Sequence, residues 1–172
     1  DWLRARHGAP ALVIGHSLGG AAILAAGARI PDAKAFATIG APFEPGHVTH
    51  NFGAQLQTIE TEGRATVQLG GRAFTIDRAF LDDVRGQRQA ERIRALRRPL
   101  MVLHSPIDTT VDISNASGIF QAAMHPKSFV SLDDADHLLS RQEDARYAAS
   151  VIAAWAARYL PAAAQPQPEN AV

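Results

Sequence analysis

The run Ala11-Leu-Val-Ile-Gly-His-Ser-Leu-Gly-Gly20 constrains this chain more than any other stretch. Four apolar residues lead into Gly15-His16-Ser17-Leu18-Gly19, and the small apolar stretch Ala21-Ala-Ile-Leu-Ala-Ala26 follows. A strand, a sharp turn and a helix are expected in that order, with Ser17 at the tip of the turn. Glycines on both flanks remove the Cβ atoms that would collide in so tight a bend. The helix, expected over about 18 to 29, would aim its first amides at the space above Ser17, where charge developing on an oxygen can be stabilised. Ser17 is therefore the candidate nucleophile and the amide of Leu18 the candidate oxyanion donor. G-x-S-x-G alone also describes a glycine-rich turn with a surface serine; the flanking strand and helix favour the elbow. A dinucleotide fingerprint is excluded, because Gly15-x-x-x-Gly19-Gly20 is not G-x-G-x-x-G, and no phosphate-loop lysine follows.

Downstream, residues 33–40, 100–104 and 127–132 read as further strands, the first two apolar without alternation. Such strands sit inside a helix-covered parallel sheet. A helix is expected over about 115 to 124 and another over 144 to 160, the latter carrying Tyr147, Ala148, Val151, Ile152, Trp155 and Tyr159 near helical spacing. The expected class is α/β, a mostly parallel sheet flanked by helices. An insertion over about 44–98 contains a β-hairpin around Gly70-Gly71 and helices near 78–84 and 87–96, and reads as a cap over the active edge. Arg88, Arg92, Arg94, Arg97 and Arg98 on the last of these read as a solvated face. Residues 1–8 look like the end of an amphipathic helix stopped by Gly8 and Pro10. Residues 1–160 would form one domain, and 161–172, rich in Pro, Ala and Gln, a linker or frayed tail.

The formal net charge is zero, with both signs interspersed, which lacks the electrostatic footprint of a nucleic-acid binder. No cysteine is present, so a disulfide framework, a thiol nucleophile and cysteine-ligated zinc are excluded within this chain. No apolar run is long enough to span a bilayer, and no signal peptide is evident, so no membrane partner and a cytoplasmic location are expected. His47 and His50 have the spacing of a metal pair, but nothing evident completes a site; neither metal nor cofactor is expected.

Three expected strands end in complementary groups: Ser17, Asp108 and His137. A serine hydroxyl is a weak nucleophile near neutral pH and needs an imidazole to take its proton, the part offered to His137. A carboxylate on the other ring nitrogen fixes the tautomer and stabilises the imidazolium, the part offered to Asp108. Singly, His137 would read as a solvated histidine among Asp133, Asp134 and Asp136, and Asp108 as a turn or cap residue. Together, at the carboxyl ends of parallel strands where ligands bind, they favour a site. His16, Ala41, Pro42 and Phe43 are the candidate pocket residues beside it.

The residues Gly15-His-Ser-Leu-Gly-Gly20, His104-Ser-Pro-Ile-Asp108 and Ala135-Asp-His137-Leu-Leu139 resemble the α/β-hydrolase superfamily, in its chain order of Ser, Asp, His. More narrowly, Ala37-Thr-Ile-Gly-Ala-Pro42, the Gly70-Gly71 hairpin, Phe80-Leu-Asp-Asp83, His125-Pro-Lys-Ser-Phe-Val-Ser-Leu132 and Ala154-Trp-Ala-Ala-Arg-Tyr159 resemble the hydrolase half of bacterial proteins fused to an OsmC-like domain. The resemblance implies a serine hydrolase of ester or related acyl bonds, carboxylesterase-like, acting on a small-molecule acyl substrate. Thioesterase, amidase, acyltransferase and perhydrolase chemistry use the same three groups. It further implies a following OsmC-like domain, strands preceding the elbow strand, and a second oxyanion amide from that earlier region. Without those strands the fold would be partial and the edge at Leu12-Val13-Ile14 open, and a non-catalytic hydrolase scaffold attached to an OsmC-like domain is the alternative.

Overall fold

The computed structural model describes residues 2–69 and 72–160. The expected Gly70-Gly71 turn and the 161–172 tail lie outside the described residues, as do the side chains of His47 and His50.

Four strands form one parallel sheet: β1 (Leu12–His16), β2 (Ala35–Ile39), β5 (Leu100–His104) and β6 (Lys127–Ser131), in the order β1, β2, β5, β6. The two runs without alternation, β2 and β5, are the central pair and are almost wholly buried, while β1 and β6 are partly covered. That is the burial expected of strands covered on both faces. Ile14 of β1 is 49% exposed.

The period-2 alternation of β2 and β5 sorts the core into two layers. Phe36, Leu100 and Val102 face helices α2 (Leu18–Ala26), α5 (Gln89–Leu96) and α6 (Ser114–Ala122), meeting Leu24, Ile93, Leu96 and Ile119. Ala37, Met101 and Leu103 face α7 (Gln142–Ala156), meeting Ala148 and Ile152. Burying each large apolar side chain stabilises the fold by about 1.5–3 kcal/mol, so truncating Phe36 or Ile119 would strike the centre of its layer. Trp155 packs against the second layer and meets Tyr159 edge-on, whereas Tyr147, at the margin of the same stripe, is exposed. α1 (Trp2–His7) buries nothing and is followed by Gly8 at φ +88°, the left-handed conformation that ends helices.

Of the stretch 44–98 expected as an insertion, the part up to residue 85 has a small core of its own. A 3₁₀ segment, Pro45–Phe52, leads to α3 (Gln55–Glu62), the antiparallel hairpin of β3 (Arg64–Leu69) and β4 (Arg72–Asp77), and α4 (Arg78–Arg85). Phe52, Ile59, Val67 and Leu81 pack together there. Asp77 caps α4 by accepting the amide of Phe80. α5, by contrast, belongs to the main helix layer, because Ile93 and Leu96 pack against Leu24 and Phe36. Of the five arginines expected to be solvated, Arg88, Arg92, Arg94 and Arg97 are exposed and Arg98 is half-buried. Arg92 donates to the Ala25 carbonyl at 3.1 Å, and Arg98 to those of Gly27 and Ile30 at 3.1 and 3.4 Å, satisfying the carbonyls at the end of α2.

Candidate active site

The sharp turn between β1 and α2 forms at Ser17. Ser17 stands between β1 and α2 with φ 52° and ψ −129°, a conformation rare for a residue with a side chain, costing about 1–3 kcal/mol. The cost is met by fixed surroundings. The Ser17 amide donates to the Ile39 carbonyl at 2.8 Å, and the Ser17 carbonyl accepts Gly20 at 2.8 Å. Leu18 opens α2, and the amides of a helix's first turn have no partner within the helix.

The glycines divide their work differently from the expectation of one on each flank. A Cβ on Gly15 would come within 2.5 Å of the Gly19 carbonyl oxygen, and one on Gly20 within 2.5 Å of the Ala41 Cβ. A Cβ on Gly19 would meet nothing within 4 Å. Strand and helix therefore approach each other through Gly15 and Gly20, while the second glycine of the G-x-S-x-G pattern carries no steric duty.

The three groups at the strand ends converge. His137 Nε2 lies 3.0 Å from Ser17 Oγ, and His137 Nδ1 lies 2.7 Å from Asp108 Oδ2. With Nδ1–H donating to the carboxylate, Nε2 is left to accept the serine proton. Asp108 is buried and its orientation is set by its other oxygen, Oδ1, which accepts the amides of Thr110 and Val111 at 2.8 and 2.9 Å.

Several residues that the sequence did not single out hold this arrangement. Gly40, at the end of β2 with φ +54°, lies so close that an added Cβ would be 3.3 Å from both Asp108 Oδ2 and His137 Nδ1. Ser105 is buried, and its hydroxyl donates to the Asp133 carbonyl at 3.0 Å, tying the loop of the acid to the loop of the histidine. The acidic residues around His137 are structural anchors. Arg141 donates to both oxygens of Asp134 and both of Asp144, and those bonds hold the Asp134 carboxyl below its ordinary value and raise the Arg141 guanidinium. Asp136 accepts the Ser140 amide at 2.8 Å, which lowers its pKa too.

The four expected pocket residues are dispersed. His16 is exposed and its Nε2 donates to the His137 carbonyl at 2.7 Å, so it braces the histidine loop against the elbow. Ala41 is 1% exposed and packs into the core at Gly20, and Pro42 is buried beside it. Phe43 is half-buried; its amide donates to Asn115 Oδ1 at 2.9 Å, and its ring lies against Gly118. Phe43 also lines a cleft of about 340 Å³ with Glu44, Val84, Arg85, Arg88 and Gln89, where the insertion meets the main layer. None of Ser17, Asp108 and His137 lines that cleft. Among the described residues no cluster of His, Asp and Glu is placed to hold a metal ion, and no helix is long and apolar enough to cross a membrane.

No family model matches the sequence, and no curated relative matches it. Solved structures do. The esterase domain of a Rhodothermus marinus protein is 52% identical, with a TM-score of 0.82 over 92% of this chain and 65% of that one. Alpha/beta hydrolase domain-containing protein 10 from mouse is 19% identical, with a TM-score of 0.65 over 91% of this chain and 65% of that one. A monoacylglycerol lipase from Paleococcus ferrophilus is 15% identical, with a TM-score of 0.70 over 93% of this chain and 73% of that one. The chain thus has the α/β-hydrolase fold, and it spans about two thirds of the length of these neighbours.

Proposed function

We propose that the chain is the nucleophile-bearing part of a serine hydrolase of ester or related acyl bonds, carboxylesterase-like, that works through an acyl-enzyme. The observation that carries this is the unbroken relay from Ser17 Oγ to His137 Nε2 at 3.0 Å and from His137 Nδ1 to Asp108 Oδ2 at 2.7 Å. The 52% identity to an esterase domain supports the same chemistry.

In this mechanism Ser17 Oγ attacks the acyl carbon while His137 Nε2 takes the hydroxyl proton. The imidazolium is stabilised by Asp108, and the carbonyl oxygen, now negative, faces the Leu18 amide. One such donor is worth on the order of 10²–10³ in rate. Collapse of the tetrahedral intermediate breaks the bond to the leaving alcohol, which departs with the proton from His137. Water then attacks the acyl-enzyme, giving a proton to His137; as the second tetrahedral intermediate collapses, the bond to Ser17 Oγ breaks, the oxygen takes that proton back from His137, and the acid is released. No step requires a cofactor.

A fluorophosphonate probe, read by mass spectrometry, together with p-nitrophenyl esters of short and medium chain length, tests the proposal. Labelling is expected at Ser17 and is lost in Ser17→Ala, with ester hydrolysis falling on the order of 10⁴-fold or more. Unchanged labelling of Ser17→Ala would show that the nucleophile lies elsewhere.

A further inference from the structure

We propose that His104 is a positioning residue, holding Asp108 in register with His137 through the backbone of Val111. The inference rests on the role given above to Asp108.

His104 is the last residue of β5 and is 0% exposed. Its Nε2 lies 2.8 Å from the Val111 carbonyl. A carbonyl only accepts, so Nε2 carries the hydrogen and the neutral ring presents a bare Nδ1. That nitrogen is buried with no hydrogen-bond partner.

The residue that this N–H grips is one of the two that grip the acid. Val111 accepts from His104 through its carbonyl and donates through its amide to Asp108 Oδ1 at 2.9 Å, beside the Thr110 amide at 2.8 Å. Asp108 Oδ2, the oxygen that meets His137, lies 3.6 Å from the same His104 nitrogen. One buried N–H thus faces both the turn that aims the carboxylate and the carboxylate itself. Packing alone would not select a ring with an unpaired nitrogen at a fully buried strand end, since an apolar residue fills such space without that penalty. The four-residue spacing from His104 to Asp108 lets the rigid end of β5 set the acid's position.

Three variants of the full chain separate this from a packing role. His104→Leu fills the space without a donor, His104→Gln carries an amide N–H to about the position of Nε2, and His104→Asn ends short of Val111. The readouts are the saturable labelling of Ser17 by a fluorophosphonate, resolved into a maximal rate and a half-saturation concentration, and the downfield proton resonance of His137 Nδ1–H. His104→Leu and His104→Asn are expected to lower the maximal rate about 10- to 100-fold, the scale of ångström misplacement, with half-saturation unchanged and the downfield proton moved or lost. His104→Gln is expected to restore most of both. Should His104→Leu unfold, the contrast between Gln and Asn still decides. Equal behaviour of folded Gln and Asn variants, or wild-type labelling and an unmoved resonance in His104→Leu, overturns the inference. Asp108→Asn serves as the reference: if it too labels at the wild-type rate, the role of Asp108 falls first, and a wild-type chain that does not label at Ser17 overturns both.

Discussion

Gly40 and His137 meet with no room between them: a methyl group on the glycine would sit 3.3 Å from the ring's Nδ1. The same methyl would be 3.3 Å from Asp108 Oδ2, so the contact between acid and imidazole is roofed by a missing side chain. At φ +54° the position is also one that a residue with a Cβ adopts only under strain. Gly40→Ala is therefore expected to push the pair apart by a few tenths of an ångström or twist β2 at its end. Because displacements approaching an ångström cost on the order of 10²-fold in rate, a loss of about 10- to 100-fold in kcat/KM for ester hydrolysis is expected, with a folded protein by circular dichroism. Wild-type kcat/KM in Gly40→Ala would show that the crowding is absorbed elsewhere.

The elbow makes a contrasting pair of substitutions informative. Gly19→Ala adds a methyl that meets nothing and replaces glycine inside a helix, so it is expected to be neutral or to stabilise by up to about 1 kcal/mol. Gly20→Ala drives its methyl to 2.5 Å from the Ala41 Cβ and is expected to destabilise by about 1–3 kcal/mol. Denaturant melts of both, with the double variant Gly20→Ala and Ala41→Gly as the rescue, check the assignment. Equal effects at the two glycines would refute it.

These contrasts mark the boundary of what the sequence made legible. Ser17, Asp108 and His137 could be read because each closes a recognisable strand, and the chemistry demands those three groups in partnership. The central strands were legible because Phe36 and Leu103 sit in runs without polar alternation. Gly40 and Ser105 were not, because each acts through partners tens of residues away, and the role of His104 was not, because Val111 and Asp108, though only seven and four residues on, reach its ring only once the loop after β5 folds back on the strand end. The same holds for Arg92 and Arg98. Their spacing describes a charged helix face, and only the approach of α2 shows that they bond its terminal carbonyls. In the insertion, α3 was missed because Gln55–Glu62 is mostly polar and buries only Ile59.

The loop that carries His137 is closed by an exposed ionic clasp, and its pH dependence has a definite sign. Arg141 holds the folded-state Asp134 carboxyl below its ordinary value of 3.8. A carboxyl whose pKa is depressed on folding contributes stability that is fully present above its unfolded value and disappears as the pH falls through the folded one. Arg141→Met removes that contribution but leaves Asp136 its bond from the Ser140 amide. Wild type and variant should therefore differ modestly in Tm near neutrality and converge as the pH drops below 3.8, and added salt should narrow the neutral-pH gap. A gap that persists undiminished in acid would mean that Arg141 acts through packing rather than charge.

Asp108→Asn separates charge from shape at the centre of the site, and the surrounding bonds dictate how the new amide must sit. Oδ1 of Asp108 accepts two backbone amides, from Thr110 and Val111, so this position must remain an oxygen. The nitrogen of the introduced Asn is forced into the place of Oδ2, facing His137 Nδ1 across 2.7 Å. An N–H there can only donate, which obliges Nδ1 to accept and moves the ring's hydrogen to Nε2. Nε2 then meets the Ser17 hydroxyl as a donor and cannot take its proton. The variant should fold with wild-type stability to within about 1–2 kcal/mol, since one charge-assisted bond becomes a neutral one. Its kcat should nevertheless fall on the order of 10⁴-fold near neutral pH, with KM little changed. Should the variant retain more than about a tenth of kcat, the tautomer of His137 would not depend on this carboxylate.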